Sequence, residues 1–212
     1  MSEDTNPWLS RPLSRSTRKR GSLTRRVSEP TGPSSPQLGV PEPAVADQLP
    51  VRNQIQKAEL WWLGVHGGAG ESTMASLVPS WKAASHQWPR NPDGEPTRVV
   101  LVARSNMRGL ERAQLAATQW AAGLVPHVEL VGLVVVADAP GRLPRPLRDF
   151  LQVVRGGVPR TWQVPWVEAW RFGEAPALSD LPRSIRKVVD ELTVIISPRD
   201  IEELIPDEKE YP

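Results

Sequence analysis

Residues 60–73 have the sequence Leu60-Trp-Trp-Leu-Gly-Val-His-Gly-Gly-Ala-Gly-Glu-Ser-Thr73. The apolar start predicts a buried β-strand, the glycines predict a tight turn, and the last residues predict the first turn of a helix. A strand, a glycine-rich turn and a helix in this order form the layout of a phosphate-binding loop. This stretch therefore predicts an α/β fold, with the loop at the end of a parallel strand.

The loop departs from the phosphate-binding motif G-x-x-x-x-G-K-[ST]. Val65 stands at the first glycine and Glu71 at the lysine, whereas Gly70 and Ser72 match the second glycine and the hydroxyl residue. A carboxylate about 4 Å from a phosphate oxygen costs about 4 kcal/mol at an effective dielectric constant of roughly 20. We therefore expect no cofactor, or only weak binding of ATP or GTP with Mg²⁺. The candidate binding residues are Gly67, Gly68, Ala69, Gly70, Glu71, Ser72 and Thr73.

Two interpretations of Glu71 stay open. An acidic residue in the first turn of a helix complements the helix dipole, so the loop can be a structural remnant or a remodelled loop. Alternatively, the glycines still let the backbone approach a nucleotide closely. In that case an arginine such as Arg98 or Arg104, or one from a partner, replaces the missing lysine.

The residues that could hold a metal ion form a weak pattern. Ser72 is at the position from which a hydroxyl reaches Mg²⁺, and Asp138 follows the apolar run 133–137, where a metal-organising carboxylate is often found. The three histidines are scattered without metal-ligand spacing, and the chain has no cysteine. We predict no catalytic residue.

The composition divides the chain into three segments. Residues 1–56 are rich in Ser, Pro, Arg and Thr and have almost no aromatic residues, which predicts a disordered basic tail. Residues 57–198 form the predicted P-loop-like domain, and residues 199–212 form an acidic tail. The net charge of +2 implies no overall electrostatic partner, but Arg11–Arg26 can make weak, non-specific contact with an anionic surface.

Apolar runs alternate with helical patterns between the two tails. This alternation predicts three layers, with a small, mostly parallel sheet between helices on both faces. The predicted strands are 60–65, 98–103, 128–137 and 160–164. The predicted helices begin near Gly70, at Ser105 or Asn106, after Pro144 and at Ser179, and residues 85–97 are predicted to be a loop.

No apolar run approaches the roughly 20 residues that cross a bilayer, and the N-terminus lacks the apolar core of a secretory signal. We therefore expect a cytoplasmic protein without a transmembrane segment.

The chain contains nine Trp but only two Phe and one Tyr. Trp162, Trp166 and Trp170 recur at every fourth residue, but Pro165 argues against one helix through all three. We expect them to pack at the edge of the fourth predicted strand and its loop. The alternative is an exposed stacking platform or a partner site.

The segment His66-Gly-Gly-Ala-Gly-Glu-Ser-Thr73 resembles the K-G-G-V-G-K-T-T motif of the MinD/ParA-type P-loop ATPases. The segment Val131–Ala137 is similar to the late strand that precedes the base-contacting loop of that family, and Val164–Pro176 is similar to its I-P-Y-D…A…G-x-P segment. The resemblance covers roughly residues 58–198. It implies a three-layer P-loop (Rossmann-like) domain that binds ATP.

The sequence also departs from that family. Histidine and glutamate stand at the signature-lysine and P-loop-lysine positions. The strand 98–103 follows the first helix almost directly and resembles a late strand, so the middle strands, with the switch loops and their carboxylate, are missing. Compact actinobacterial proteins with a W-W-x-G-x-H-G-G-A-G opening are also similar to this chain, and that likeness implies no activity.

These observations lead to three hypotheses about function. The first is a catalytically degenerate P-loop protein that serves as an interaction or regulatory module for a protein partner. The alternative is a nucleotide-binding ATPase or GTPase with weak or partner-assisted hydrolysis. The third is a nucleic-acid-associated protein that uses Arg11–Arg26, for which only non-specific, salt-sensitive binding is expected.

Overall fold

The structure, a computed structural model, describes residue 27 and residues 29–197. The predictions for Arg11–Arg26 and for the acidic tail lie outside the described residues. The strands are β1 Val51–Asn53, β2 Leu60–Gly64, β3 Trp81–Ala83, β4 Trp88–Arg90, β5 Thr97–Arg104, β6 Val128–Val136 and β7 Thr161–Val164. The α-helices are α1 Glu71–Ala75, α2 Met107–Ala121, α3 Arg145–Arg155, α4 Glu168–Arg171 and α5 Arg183–Ile196, and short 3-10 helices occupy Val45–Asp47 and Leu178–Asp180. None of these helices combines the length and the apolar character that a membrane crossing requires.

Five parallel strands form the main sheet in the order β3-β2-β5-β6-β7. The central residues of β5 and β6, 99–103 and 130–136, are buried and carry no polar side chain, as is typical of parallel strands that are covered on both faces. Side chains from α2 and α3 pack on one face, and side chains from α1 and α5 pack on the other. The predicted α/β architecture with a mostly parallel sheet is therefore confirmed.

Two local predictions were wrong. The predicted loop 85–97 contains β4, which has only three residues and pairs with β1 in a separate two-stranded sheet. So short a strand carries no periodic pattern that the sequence could reveal. The last helix begins at Arg183 and not at Ser179, because Pro182 precedes it and Ser179 belongs to a 3-10 helix.

Residues 29–56, which we call the N-terminal strap, follow a defined path along the domain. The backbone N–H of Thr31 donates to Pro159 O at 2.8 Å, and that of Gln37 donates to Ala121 O at 2.8 Å. Val40 and Leu49 pack against the core on the α2 and α3 face. The prediction of disorder is therefore wrong for this segment, because hydrogen bonds and a few apolar contacts hold a chain that its composition marks as polar.

The side chain of Gln119 fixes the strap to α2. Its Oε1 accepts hydrogen bonds from Leu49 N and from Trp88 Nε1, both at 2.9 Å, and its Nε2 donates to Leu49 O at 2.9 Å. The side chain is buried, so no water replaces these bonds when they are lost. One amide group thus joins the strap, α2 and the two-stranded sheet.

We predict that Gln119→Ala destabilises the protein by about 2–4 kcal/mol, because it leaves the indole N–H of Trp88 and the amide of Leu49 buried without partners. Gln114→Ala, on the exposed side of the same helix, should change stability by less than about 0.5 kcal/mol. Urea unfolding measures both values. Limited proteolysis should also cut the strap faster in the Gln119 variant. Equal stability of the two variants would contradict the role of Gln119 in fixing the strap to α2.

The imidazole of His127 provides a pH-dependent contribution to stability. Its Nε2 is buried and has no hydrogen-bond partner in the described part of the chain. Burial lowers its pKa below the ordinary value, and the nearby charge of Arg90 lowers it further, against a smaller opposite effect of the Pro89 backbone. The folded protein therefore holds this histidine neutral at a pH where the unfolded chain takes up a proton.

We predict that the free energy of unfolding falls as the pH drops below about 6.5, the ordinary pKa of histidine, because protonation then favours the unfolded chain. Above that pH the contribution is constant. His127→Gln should lose less stability than wild type between pH 7.5 and pH 5.5, as measured by urea unfolding at both values. The carboxylates titrate in both proteins, so parallel pH profiles would rule out the assignment to His127.

Candidate functional site

A cleft lies at the carboxyl edge of the main sheet, where the strand order reverses. From β2 the chain passes to β3 on one side, and β5, β6 and β7 follow on the other side. The loops after β2 and β5 therefore diverge, and such a reversal is where ligands bind in open parallel sheets. The cleft has a volume of about 670 Å³, which is the size of many small-molecule sites.

The glycine loop 66–70 forms one wall of this cleft. Gly68 and Gly70 have φ angles of 75° and 103°, which only glycine adopts without strain. A Cβ added at Gly67 or Gly68 would meet no atom within 4 Å, so the loop backbone faces empty space. Among the predicted binding residues, Gly67 and Gly68 line the cleft, whereas Ala69, Gly70, Glu71, Ser72 and Thr73 do not.

Glu71 lies beneath the loop. Its side chain is 7% exposed, and its Oε2 is 3.4 Å from Nδ1 of His86. The backbone N–H of His86 also donates to Glu71 Oε1 at 3.4 Å. The residue at the lysine position of the motif is therefore directed to His86 and not into the cleft.

An unusual turn carries His86 to this position. Ser85 and His86 have φ angles of 58° and 59°, in the left-handed region that costs a residue other than glycine roughly 1–2 kcal/mol. In return, Nδ1 of His86 lies 2.7 Å from Gly64 O, which can only accept, so Nδ1 carries the proton and donates. The turn joins the end of β2 to the first residue of α1 and holds the base of the glycine loop.

His66 and Arg104 hold the loop from the side of the cleft. The backbone N–H of Arg104 donates to His66 Nε2 at 3.1 Å, so the proton of this imidazole sits on Nδ1, which donates to Gly67 O at 2.8 Å. The guanidinium of Arg104 donates to Gly68 O at 3.0 Å and to Ala137 O at 3.1 Å. One arginine thus ties the glycine loop to the end of β6.

Of the two arginines considered as replacements for the lysine, only Arg104 is near the loop. Arg98 lies six residues earlier in β5, about 20 Å away along an extended strand. It pairs with Glu129 at 3.2 Å and donates to Ile196 O at 2.6 Å. Arg98 therefore belongs to the opposite edge of the sheet.

Asp138, the second metal candidate, lines the cleft at the end of β6 and is exposed. Its backbone N–H donates to Ser105 Oγ at 3.0 Å, which fixes the residue but leaves the carboxylate unconstrained. Ser72 is also exposed but lies outside the cleft. Within residues 27 and 29–197, no group of three or more His, Cys, Asp and Glu side chains could hold a metal ion.

The sequence analysis named Trp166 and Trp170 of the opposite wall, as an alternative stacking platform or partner site, but missed the arginines of that wall. The side chains there come from the start of α2 and from the segment after β7, and they are Asn106, Arg108, Trp166, Val167, Trp170 and Arg171. Trp162 is instead buried in the core, where its Nε1 donates to Glu191 Oε2 at 2.8 Å. The position of these residues after predicted strands could have revealed them, because residues that follow parallel strands lie together at one edge of the sheet.

The fold and the cleft define an α/β protein with a parallel sheet and a ligand-sized cleft at the carboxyl ends of its strands. The chain belongs to DUF6668, a family of unknown function, which matches residues 58–189. This span includes every residue that lines the cleft but not the N-terminal strap. No curated protein and no solved structure matches the chain.

We predict that Gly68→Ala lowers the free energy of unfolding by about 1 kcal/mol, since alanine at a positive φ is strained. Gly67→Ala is the matched control, because its added methyl group also enters empty space but its φ is not positive. It should change stability by less than about 0.5 kcal/mol. Thermal unfolding of both variants tests the loop conformation, and equal losses would show that it differs from the one described.

Proposed function

We propose that this chain is a P-loop-like protein that has lost catalysis and serves as an interaction or regulatory module. One observation supports the proposal: the glycine loop joins a parallel strand to a helix, which is the layout of a phosphate-binding loop, but the residues at both lysine positions of the motif contact the protein itself. Glu71 pairs with His86, and His66 accepts a hydrogen bond from Arg104 N. Neither lysine position therefore offers a cation that could neutralise a triphosphate, and the side chains at both positions hold the loop instead.

The small number of carboxylates that line the cleft supports the same proposal. Phosphoryl transfer requires groups that organise Mg²⁺ and orient the attacking water. Asp138 is the one carboxylate among the residues that line the cleft. Among the residues that the structure describes, no second carboxylate lines the cleft to orient water, which is consistent with a loop that binds without turning over a substrate.

A second candidate function is nucleotide binding with weak or partner-assisted hydrolysis. It is favoured by the position of Arg104, whose guanidinium lies against Gly68 O at the mouth of the loop. An arginine there can supply positive charge that the missing lysine does not. This candidate and the leading proposal differ in whether the wild-type protein releases phosphate from ATP or GTP.

We predict that wild-type protein releases phosphate from ATP or GTP with Mg²⁺ at the background rate and binds either nucleotide weakly or not at all. Affinity should rise in the order wild type, Glu71→Gln, Glu71→Lys, because the first change removes a negative charge beneath the loop and the second adds a cation. Phosphate release should stay at background in all three. Isothermal titration and a phosphate-release assay measure the two quantities.

Glu71→Gln keeps the shape of the side chain and a contact to His86, so it controls for structural damage in the lysine variant. Matching thermal unfolding curves for wild type and Glu71→Gln show that the loop is intact. Hydrolysis above background in wild type that disappears in Glu71→Gln would make Glu71 a catalytic residue and would overturn the proposal.

A further inference from the structure

The walls of the cleft carry an excess of positive charge. Three guanidinium groups line it, from Arg104, Arg108 and Arg171, against the single carboxylate of Asp138. Arg108 and Arg171 form no ion pair with any carboxylate of the described residues. Among the described residues, the side chains that line the cleft therefore carry a net charge of about +2.

The placement of Arg108 adds to this excess. It lies in the first turn of α2, which contains no acidic residue, so a cation stands at the positive end of the helix dipole. Gly109 brings this turn close to β5, because a Cβ there would lie 2.2 Å from Arg104 O. The start of α2, which carries Arg108, thus lies next to the backbone of Arg104 despite the repulsion between the two charges.

The opposite wall combines a third arginine with aromatic rings. Trp166 and Trp170 are half-buried and line the cleft. The guanidinium of Arg171 lies 5.9 Å from the ring centroid of Trp166, within the range of a cation–π contact. An indole face next to a guanidinium is suited to a planar ring that carries a negatively charged group.

We propose that the cleft binds a phosphate monoester attached to a planar aromatic base, the chemistry of a nucleoside monophosphate, without a divalent cation. A phosphate monoester carries a charge of about −1.5 to −2 at neutral pH, which the arginines balance. Arginine binds phosphate through paired N–H groups, whereas a triphosphate needs a metal ion and the carboxylates that place it. This assignment deepens the proposed regulatory role and rests on it, because it names what the module responds to.

The test is isothermal titration of the full-length protein with AMP, GMP, CMP and UMP, each in EDTA and in Mg²⁺. We expect at least one to bind with a dissociation constant below about 1 mM and with equal affinity in both buffers. Arg108→Ala and Arg171→Ala should each weaken binding about tenfold. Arg148→Ala, on the exposed surface of α3 and outside the cleft, should leave it within about twofold.

Titration with inorganic phosphate distinguishes the contribution of the arginines, which bind the phosphate, from that of Trp166, which stacks on the base. Trp166→Ala should weaken binding of the monophosphate about tenfold and leave binding of inorganic phosphate unchanged, because only the nucleotide stacks on the indole. Equal loss for both ligands would assign Trp166 a structural role and contradict the stacking half of the proposal. Tighter binding of phosphotyrosine than of any nucleoside monophosphate would overturn the assignment of the ligand class.

Failure of this inference can be distinguished from failure of the proposed function. Absence of monophosphate binding, or binding only with Mg²⁺, overturns the ligand assignment and leaves the absence of hydrolysis unaffected. Hydrolysis of ATP or GTP by wild type overturns the non-catalytic role, whether or not the monophosphates bind.

Discussion

The pairing of β2 with β5 is the contact on which the site depends. Because β3 lies on the other side of β2, the strand order reverses at this pair. The backbone N–H of Val65 donates to Val102 O at 3.0 Å, so the pairing continues to the first residue after β2. Helix α1 then packs on one face of the sheet and α2 on the other, and the space between the glycine loop and the first turn of α2 stays open as part of the cleft.

The buried carboxylate of Glu71, at the lysine position of the motif, needs hydrogen-bond donors from the rest of the protein. Burying a carboxylate is costly unless it is hydrogen-bonded, and Glu71 accepts a hydrogen bond from the backbone N–H of His86, whose Nδ1 lies 3.4 Å from Glu71 Oε2. His86 reaches it only through two consecutive left-handed residues. The substitution of lysine by glutamate and the strained turn therefore form one unit, and a lysine at position 71 would leave that turn without its partner.

The sequence predicted four of the five strands of the main sheet, most clearly those that contain continuous apolar runs, whereas the three-residue edge strand β3 was not predicted. The predicted strands at 98–103 and 128–137 agree with β5 and β6 within one residue at each end. Helix α2 was predicted from its apolar spacing, and its N-cap is Asn106, one of the two residues considered, whose Oδ1 accepts from Gly109 N at 2.8 Å. Signals of this kind are local, so one sequence is enough to find them.

The features that the sequence did not predict depend on contacts between residues that are far apart in the chain. The strap is held by backbone atoms and by Gln119, which lies 70 residues away in sequence from Leu49. The orientation of Glu71 depends on His86, which no motif connects with it. The arginines of the opposite wall come from two helices, Arg108 from α2 and Arg171 from α4. Only the order of the strands and helices in the fold shows that they line the same cleft.

The glycine loop is held by contacts within the protein, so its conformation does not depend on the residues of the opposite wall. Glu71 and His86 hold it from below, and His66 and Arg104 hold it from the side. A loop that is already fixed loses little conformational freedom on binding, so affinity depends mainly on the charges and rings that a ligand meets. In the proposed site those groups are Arg108, Trp166 and Arg171, on the opposite wall. Evolution could therefore change the ligand by substitutions on that wall while the loop and its supporting contacts kept the fold.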